Sequence, residues 1–377
     1  MAYLDNSATT QVCEEAVQRM VRCMTEQYGN PSSLHSMGVA AEEELNRARG
    51  EVAALIGAEP AQVFFTSGGT EANNLAILGG AAAKARRSHK AVTTAYEHAS
   101  VAACFDELEQ QGWQVTRVAP DAGGTISPAQ IADACDEDTS LVSVMMVNNE
   151  TGAYTDIAET VRLVRARAPQ ALIHTDCVQA VGKLPIKATR WGVDALTVSS
   201  HKIHGPKGCG ALYIRKGVRI LPRQLGGEQE HRLRAGTEPL PAIVGFGAAA
   251  AAVPPFDEQQ RQYTALKRAL LAGLQELPEV RLHLPENGVP YIVNVSLMGF
   301  RSETLLHFLA ARDIYVSGGS ACARGKRSRV LTAMGLPEPE IDGALRISFS
   351  RHNTEDEVAR LCAALGDATA TLQRRKL

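Results

Sequence analysis

The sequence of 377 residues has no excess of either charge: 39 Lys and Arg stand against 41 Asp and Glu, a formal net charge of −2. That balance excludes a general binder of nucleic acid or of membrane surfaces, so partners are to be sought in local patches. It also lacks any C-x-x-C pair among its eight cysteines, at positions 13, 23, 104, 135, 177, 209, 322 and 362. Zinc-site spacing is therefore absent. No apolar stretch approaches the ~18 residues of a membrane span, and the N-terminal residues Met1-Ala2-Tyr3-Leu4-Asp5 have neither the basic start nor the apolar run of an export signal. These absences point to a cytoplasmic protein whose thiols are reduced, most of them serving as small buried hydrophobes. There is no internal repeat, and no low-complexity segment beyond short alanine runs.

Hydrophobic residues make up 45% of the chain and charged residues 21%, as in soluble globular domains. A chain this long can bury about 75% of its unfolded surface, so a core needs neither disulfide nor metal. Apolar positions Cys13, Ala16, Val17, Met20 and Met24 recur at helical spacing, which predicts a helix with one wet face; 39–56 repeats the pattern. The rhythm then changes to a short strand at 63–66, a glycine turn and an alanine-rich helix. Further strands are predicted at 91–94, 114–118, 141–147, 171–175, 195–198 and 211–214, mostly separated by helix-length segments. Such continuous Val/Ile/Leu runs fit a mainly parallel sheet buried on both faces. Val253-Pro254-Pro255 is the best linker. Beyond it, a helix at 257–277, strands at 280–284, 291–297, 314–317 and 344–349, and helices at 303–311 and from 354 predict a smaller α+β unit.

Ligands of an open α/β sheet bind at the carboxyl ends of its strands. Four predicted strand ends carry polar clusters. Ser67-Gly68-Gly69-Thr70-Glu71-Ala72-Asn73 offers glycines to an anion, with Thr70 placed to cap the helix behind it. Val147-Asn148-Asn149-Glu150 brings amides out of an apolar strand, His174-Thr175-Asp176-Cys177-Val178-Gln179 ends a strand on an acid, and Ser199-Ser200-His201-Lys202 sets a lysine among hydroxyl and imidazole groups. Each alone could be a capped loop or a solvated turn. Together they supply what pyridoxal phosphate requires: a phosphate cradle, a carboxylate for the pyridine nitrogen and a lysine for the Schiff base.

These motifs, with Gly226-Gly227-Glu228-Gln229-Glu230, Arg234-Ala235-Gly236-Thr237, Gly29-Asn30-Pro31-Ser32-Ser33, the stretch from Tyr3 to Thr10, and Gly318-Gly319-Ser320-Ala321-Cys322-Ala323, resemble the cysteine desulfurases along essentially the whole chain. The Ser-Ala-Cys setting resembles the first of that family's two groups. The resemblance implies a fold type I pyridoxal-phosphate transferase: a large α/β domain with a mainly parallel sheet flanked by helices, residues 16–254, and a small α+β domain, residues 1–15 and 255–377. It implies a homodimer acting on L-cysteine, giving L-alanine and sulfur for iron–sulfur cluster assembly or other delivery. Lys202 would carry the cofactor, Asp176 would hold the pyridine nitrogen and Gln179 the ring hydroxyl. His98 would stack on the ring and shuttle protons. Gly69, Thr70, Ser199 and His201 would hold the phosphate, with Thr237 reaching it from the other subunit. Asn149, beside the cofactor, and Arg346 would bind the substrate carboxylate.

Sulfur leaving at the zero-valent level needs a thiolate to accept it. Cys322 is the candidate nucleophile, in a Gly/Ser/Ala-rich loop, whereas Cys13, Cys23, Cys104 and Cys362 lie in helix-like segments. An ordinary thiol pKa near ~8.5 leaves few thiolates at neutral pH. Arg324, Lys326, Arg327 and Arg329 could raise that fraction or dock an acidic acceptor, an iron–sulfur scaffold or a sulfur carrier. No direct nucleic-acid or membrane partner and no metal is expected. Residues 228–232 depart from the family's commoner pattern, and the segment after Cys322 is shorter and more basic. The rival readings are a selenocysteine lyase or another fold type I enzyme, which would not need Cys322, and a catalytically retired scaffold, which would not bind the cofactor.

Overall fold

In a computed structural model, which describes residues 1–121, 123–318 and 327–374, the strands in chain order are β1 (Ala2–Tyr3), β2 (Val63–Thr66), β3 (Lys90–Thr94), β4 (Gln114–Val118), β5 (Thr139–Met145), β6 (Leu172–Asp176), β7 (Ala195–Ser199), β8 (Gly210–Ile214), β9 (Val280–His283), β10 (Ile292–Leu297), β11 (Ile314–Tyr315), β12 (Ser317–Gly318) and β13 (Ala344–Ser348). Seven of them form one sheet in the order β2-β8-β7-β6-β5-β3-β4. Only β8 runs against its neighbours β2 and β7; the other pairs are parallel. Every residue of β5, β6, β7 and β8 is buried, as the unbroken apolar runs require, while edge strand β4 is polar and partly exposed. Strand order reverses between β3 and β5, which opens a crevice at their carboxyl ends.

The reversal of β8 has a steric condition. Gly210, its first residue, lies between the ends of β2 and β7, where a Cβ would stand 2.8 Å from the Gly68 Cα and from the Val198 carbonyl oxygen. Glycine at 210 lets the turn after β2 settle over the site.

A second, antiparallel sheet has the order β12-β13-β10-β9, and β1 pairs in parallel with β11. The single strand expected at 314–317 is divided: the chain leaves its partner β1 after Tyr315 and joins β13 at Ser317. Among the described residues no single helix is long and apolar enough to cross a membrane.

The first helices are α1 (Glu14–Thr25), α2 (Ser36–Ile56), α3 (Gly69–Lys84) and α4 (Ala99–Gln110). The apolar stripe expected to bury α1 does so only in part. Ala16 and Cys23 are buried, but Val17, Val21 and Met24 are exposed, because the helix Leu240–Ala251 packed on α1 covers its other side.

Arg49 of α2 joins these layers. Its guanidinium donates to the Val63 carbonyl at 2.7 Å and to both carboxylate oxygens of Glu230 at 2.8 and 2.7 Å, and the Phe65 N–H donates to Glu230 at 2.8 Å. Glu230, His231 and Arg232 are all left-handed, with φ of 46°, 55° and 67°. That conformation is costly for residues with a Cβ, and the buried bidentate pair offsets it. Arg49→Ala leaves a buried carboxylate uncompensated and lowers stability by about 3–5 kcal/mol, whereas the double change Arg49→Met with Glu230→Leu recovers most of it. Urea unfolding midpoints of the two variants check this.

Candidate active site

Asp176 ends β6 and is 4% exposed. Its Oδ1 accepts the Val178 N–H at 2.9 Å and its Oδ2 accepts the Asn73 side-chain amide at 2.8 Å. Asn73, on α3, also donates to Ser100 Oγ at 2.9 Å, and Ser100 Oγ lies 2.8 Å from Nδ1 of His98. His98 follows β3 and caps α4, its Nδ1 accepting the Ser100 N–H. Lys202 lies in the turn after β7, where its Nζ donates to the Ser7 carbonyl and, at 2.8 Å, to the Ala8 carbonyl. Gln179 Nε2 donates to the same Ser7 carbonyl at 3.0 Å. Thr10 donates to the His201 carbonyl through both its N–H and its hydroxyl. The ends of β6 and β7 are thus joined to the N-terminal segment, and the end of β3 is joined to β6 through Ser100 and Asn73.

Arg346 of β13 approaches from the smaller sheet. It donates to the Asn149 carbonyl at 2.9 Å and to Asp5 at 2.8 Å, and it is 4% exposed, so its guanidinium is turned inward rather than to solvent. Glu150, beside Asn149, accepts from the Ser328 hydroxyl, and Ser328 caps the helix Arg329–Ala333. Gly69 begins α3 over Val178 and Ser199: a Cβ there would stand 2.9 Å from Val178 Cγ2 and 3.7 Å from Ser199 Cβ. Thr70 does not cap α3. The cap position falls on Gly68, two residues earlier than the motif suggests, and the Thr66 hydroxyl braces that turn by donating to the Gly68 carbonyl. Thr237 stands apart, exposed, on a groove shared with Cys23, Met24 and Tyr28.

Burial dominates the electrostatics. It raises Glu97, next to His98, to about 8 and Glu150 to about 7, and it lowers His201 to about 4 and Lys183, which donates to the Lys202 carbonyl, to about 7. Burial lowers His98 as well, against the opposing pull of Asp176. Seven cysteines are described, and burial raises every one of their thiols, Cys104 and Cys135 to about 12. None of these seven is a ready thiolate. Cys322, Arg324 and Lys326 lie outside the described residues. Of the basic cluster that follows Cys322, Arg327 is paired with Glu338 and Asp342, and Arg329 lies 3.7 Å from Asp106. Of the four cations expected to favour a Cys322 thiolate or to dock an acidic acceptor, these two therefore already face carboxylates of the chain itself.

Residues 2–361 match the family described as aminotransferase class-V. The chain belongs to that family. Over 375 residues, 98% of this chain and 92% of the relative, it is 41% identical to a cysteine desulfurase IscS of Methanosarcina thermophila. It is 42% identical over 364 residues to cysteine desulfurase 2 of Trichormus variabilis, covering 95% of this chain and 90% of that one. Among solved structures, a NifS-like protein superposes with a TM-score of 0.93 at 36% identity, covering 99% of this chain and 100% of its own. SspA in complex with cysteine superposes at 0.82 and 31% identity, covering 94% of this chain and 100% of its own. The resemblance read from the motifs is borne out, and the chain is a pyridoxal-phosphate enzyme of fold type I.

The residues present fit that cofactor. Among the described residues, Gln179 Oε1, Asn149 Oδ1 and Ser199 Oγ are buried without a hydrogen-bond partner, and Gly69 leaves open the space a Cβ would fill. Buried polar atoms are rarely left unpaired, and these cluster where a polar ligand would satisfy them. Asn73, Ser100, Asp5 and Glu150 were not singled out from the sequence, although Asn73, Asp5 and Glu150 stand within the quoted motifs. Their short polar side chains carry no sign of which partner they meet.

Glu97 gives a pH dependence of stability. Its folded pKa, about 8, is raised from an ordinary 4.5, so the stability it confers is complete below about pH 4.5 and is lost as pH rises through about 8. Glu97→Gln stays neutral, so wild type loses stability relative to this variant between pH 6 and pH 9. Unfolding midpoints across that range check the sign.

Proposed function

We propose that this enzyme is a cysteine desulfurase in which Lys202, Asp176, Gln179, Ser199, Gly69, Thr70 and His201 hold the cofactor, Asn149 and Arg346 bind the substrate carboxylate, and Cys322 receives the sulfur. The observation that carries the reading is the convergence, at the carboxyl ends of one sheet, of Lys202, Asp176 and Gln179 with Arg346 from the other sheet. When bound, pyridoxal phosphate supplies an electron sink for the pair released as substrate bonds break.

The chain's own residues do the rest. Arg346, oriented by Asp5 and the Asn149 carbonyl, offers a planar fork to the carboxylate of L-cysteine. Lys202, whose ammonium is held by the Ser7 and Ala8 carbonyls, exchanges them for the site and moves the Cα proton at Nζ. The Cys322 thiolate attacks the substrate sulfur: a sulfur–sulfur bond forms, the carbon–sulfur bond breaks with its pair left on carbon, and a proton completes L-alanine. Cys322 is left as a persulfide for an acceptor protein, an iron–sulfur scaffold or a sulfur carrier in the cytoplasm. The raised pKa of all seven described cysteines supports assigning the nucleophile to the eighth. Cys322→Ser abolishes sulfide release from L-cysteine while the cofactor's absorbance is retained; normal turnover would overturn the assignment.

The enzyme works as a homodimer. Val17, Val21 and Met24 of α1, with Tyr28, Leu34 and Met37, form an exposed apolar face, and Leu34 is 99% exposed. Thr237 lies at the edge of that face, where it would reach the partner's cofactor. A second copy covers these side chains. Met24→Glu with Leu34→Glu yields a monomer by analytical ultracentrifugation and weakens cofactor retention; an unaltered dimer would contradict this interface.

A further inference from the structure

The hydrogen bonds between Asp176 and His98 have a fixed polarity. A carboxylate can only accept, so the Asn73 atom 2.8 Å from Asp176 Oδ2 is the amide nitrogen. That nitrogen has two hydrogens, and the second goes to Ser100 Oγ at 2.9 Å. The Ser100 hydroxyl, accepting from Asn73, has its own hydrogen left for Nδ1 of His98 at 2.8 Å. Independently, the Ser100 backbone N–H donates to the same Nδ1 at 3.2 Å. A ring nitrogen that receives two donors carries its lone pair there, so the neutral ring bears its hydrogen on Nε2.

We propose that Asn73 and Ser100 are positioning residues that hold neutral His98 as the Nε2–H tautomer, so that His98 meets the substrate sulfur as a hydrogen-bond donor and recognises a thiolate. Resting on the desulfurase reading above, this deepens the role of His98: with Nε2 protonated and the Nδ1 lone pair taken up by two donors from Ser100, the neutral ring has no free lone pair with which to take the thiol proton. The charged and titratable groups around it are Asp176 from the end of β6, Lys202 and His201 from the turn after β7, and Arg346 from β13. Burial, with the Lys202 and Arg346 cations, favours the neutral ring; Asp176 opposes them.

Long-range proton–nitrogen correlation spectra of the holoenzyme carrying ¹⁵N-histidine test this, His98 being assigned by its loss in His98→Gln. The expected spectrum has a protonated Nε2 and a bare Nδ1; a protonated Nδ1 overturns the proposal. Ser100→Ala removes a donor that favours the neutral ring, so the pKa of His98 rises by about half a unit to one unit, and Ser100→Thr restores it. An unchanged or lowered pKa in Ser100→Ala overturns it equally. Neither reading needs turnover. A protein with this tautomer that released no sulfur from L-cysteine would fail the desulfurase reading and leave this one standing.

Discussion

The hydrogen bonds of residues 5–10 are the constraint on which the rest of the site depends. Ser7 and Ala8 hold the ammonium of Lys202 and, through Ser7, the amide of Gln179; Thr10 holds the His201 carbonyl; Asp5 holds Arg346. The Ser7 N–H donates to Ser348 Oγ and the Asn6 N–H to the Ser348 carbonyl, so the same six residues are tied to β13 as well. Groups from two sheets, far apart in sequence, are therefore placed against one short stretch of backbone. The two carbonyls also hold Lys202 in place as an ammonium. A turn does this better than a helix would, because the Ser7 and Ala8 carbonyls are not used up by backbone bonds of a helix and can accept from Lys202.

On the opposite side, Asp176 distributes order outward. One oxygen fixes the turn that follows β6, and the other fixes Asn73, Ser100 and, through them, His98. Beneath them lies Glu97, protonated at neutral pH because it is buried, and bonded to Thr94 and the Met145 N–H. Glu150 plays the matching part near Arg346, linking the turn after β5 to the cap of the helix that follows the segment bearing Cys322. The site is held by short polar contacts in a water-poor interior, where each is worth more than it would be at the surface.

Much of this was legible in the sequence. Strands 63–66 and 114–118 coincide with β2 and β4 residue for residue, because turn residues bound them closely on both sides. The four polar clusters lie at the ends of β2, β5, β6 and β7, where a parallel sheet gathers its ligands. Strand direction was not legible: nothing in the run at 211–214 distinguishes an antiparallel β8, and only the contact of Gly210 with Gly68 shows how it fits. Amphipathic spacing correctly marked α1 as a helix, but not which side would be left bare, since the helix Leu240–Ala251 that covers its other side lies far away in the sequence. Arg327 and Arg329 read as a basic patch because their acidic partners, Glu338, Asp342 and Asp106, lie elsewhere in the sequence.

The central claim is that one thiol among eight carries sulfur away from L-cysteine. Mass spectrometry of peptides from the holoenzyme after a single turnover with L-cysteine tests it most directly. The account predicts the added mass of one sulfur atom on the peptide containing Cys322 and on no other cysteine peptide, with one equivalent of L-alanine formed. The extra sulfur on any of the other seven cysteines, or alanine formed with no sulfur retained by the protein, would contradict it.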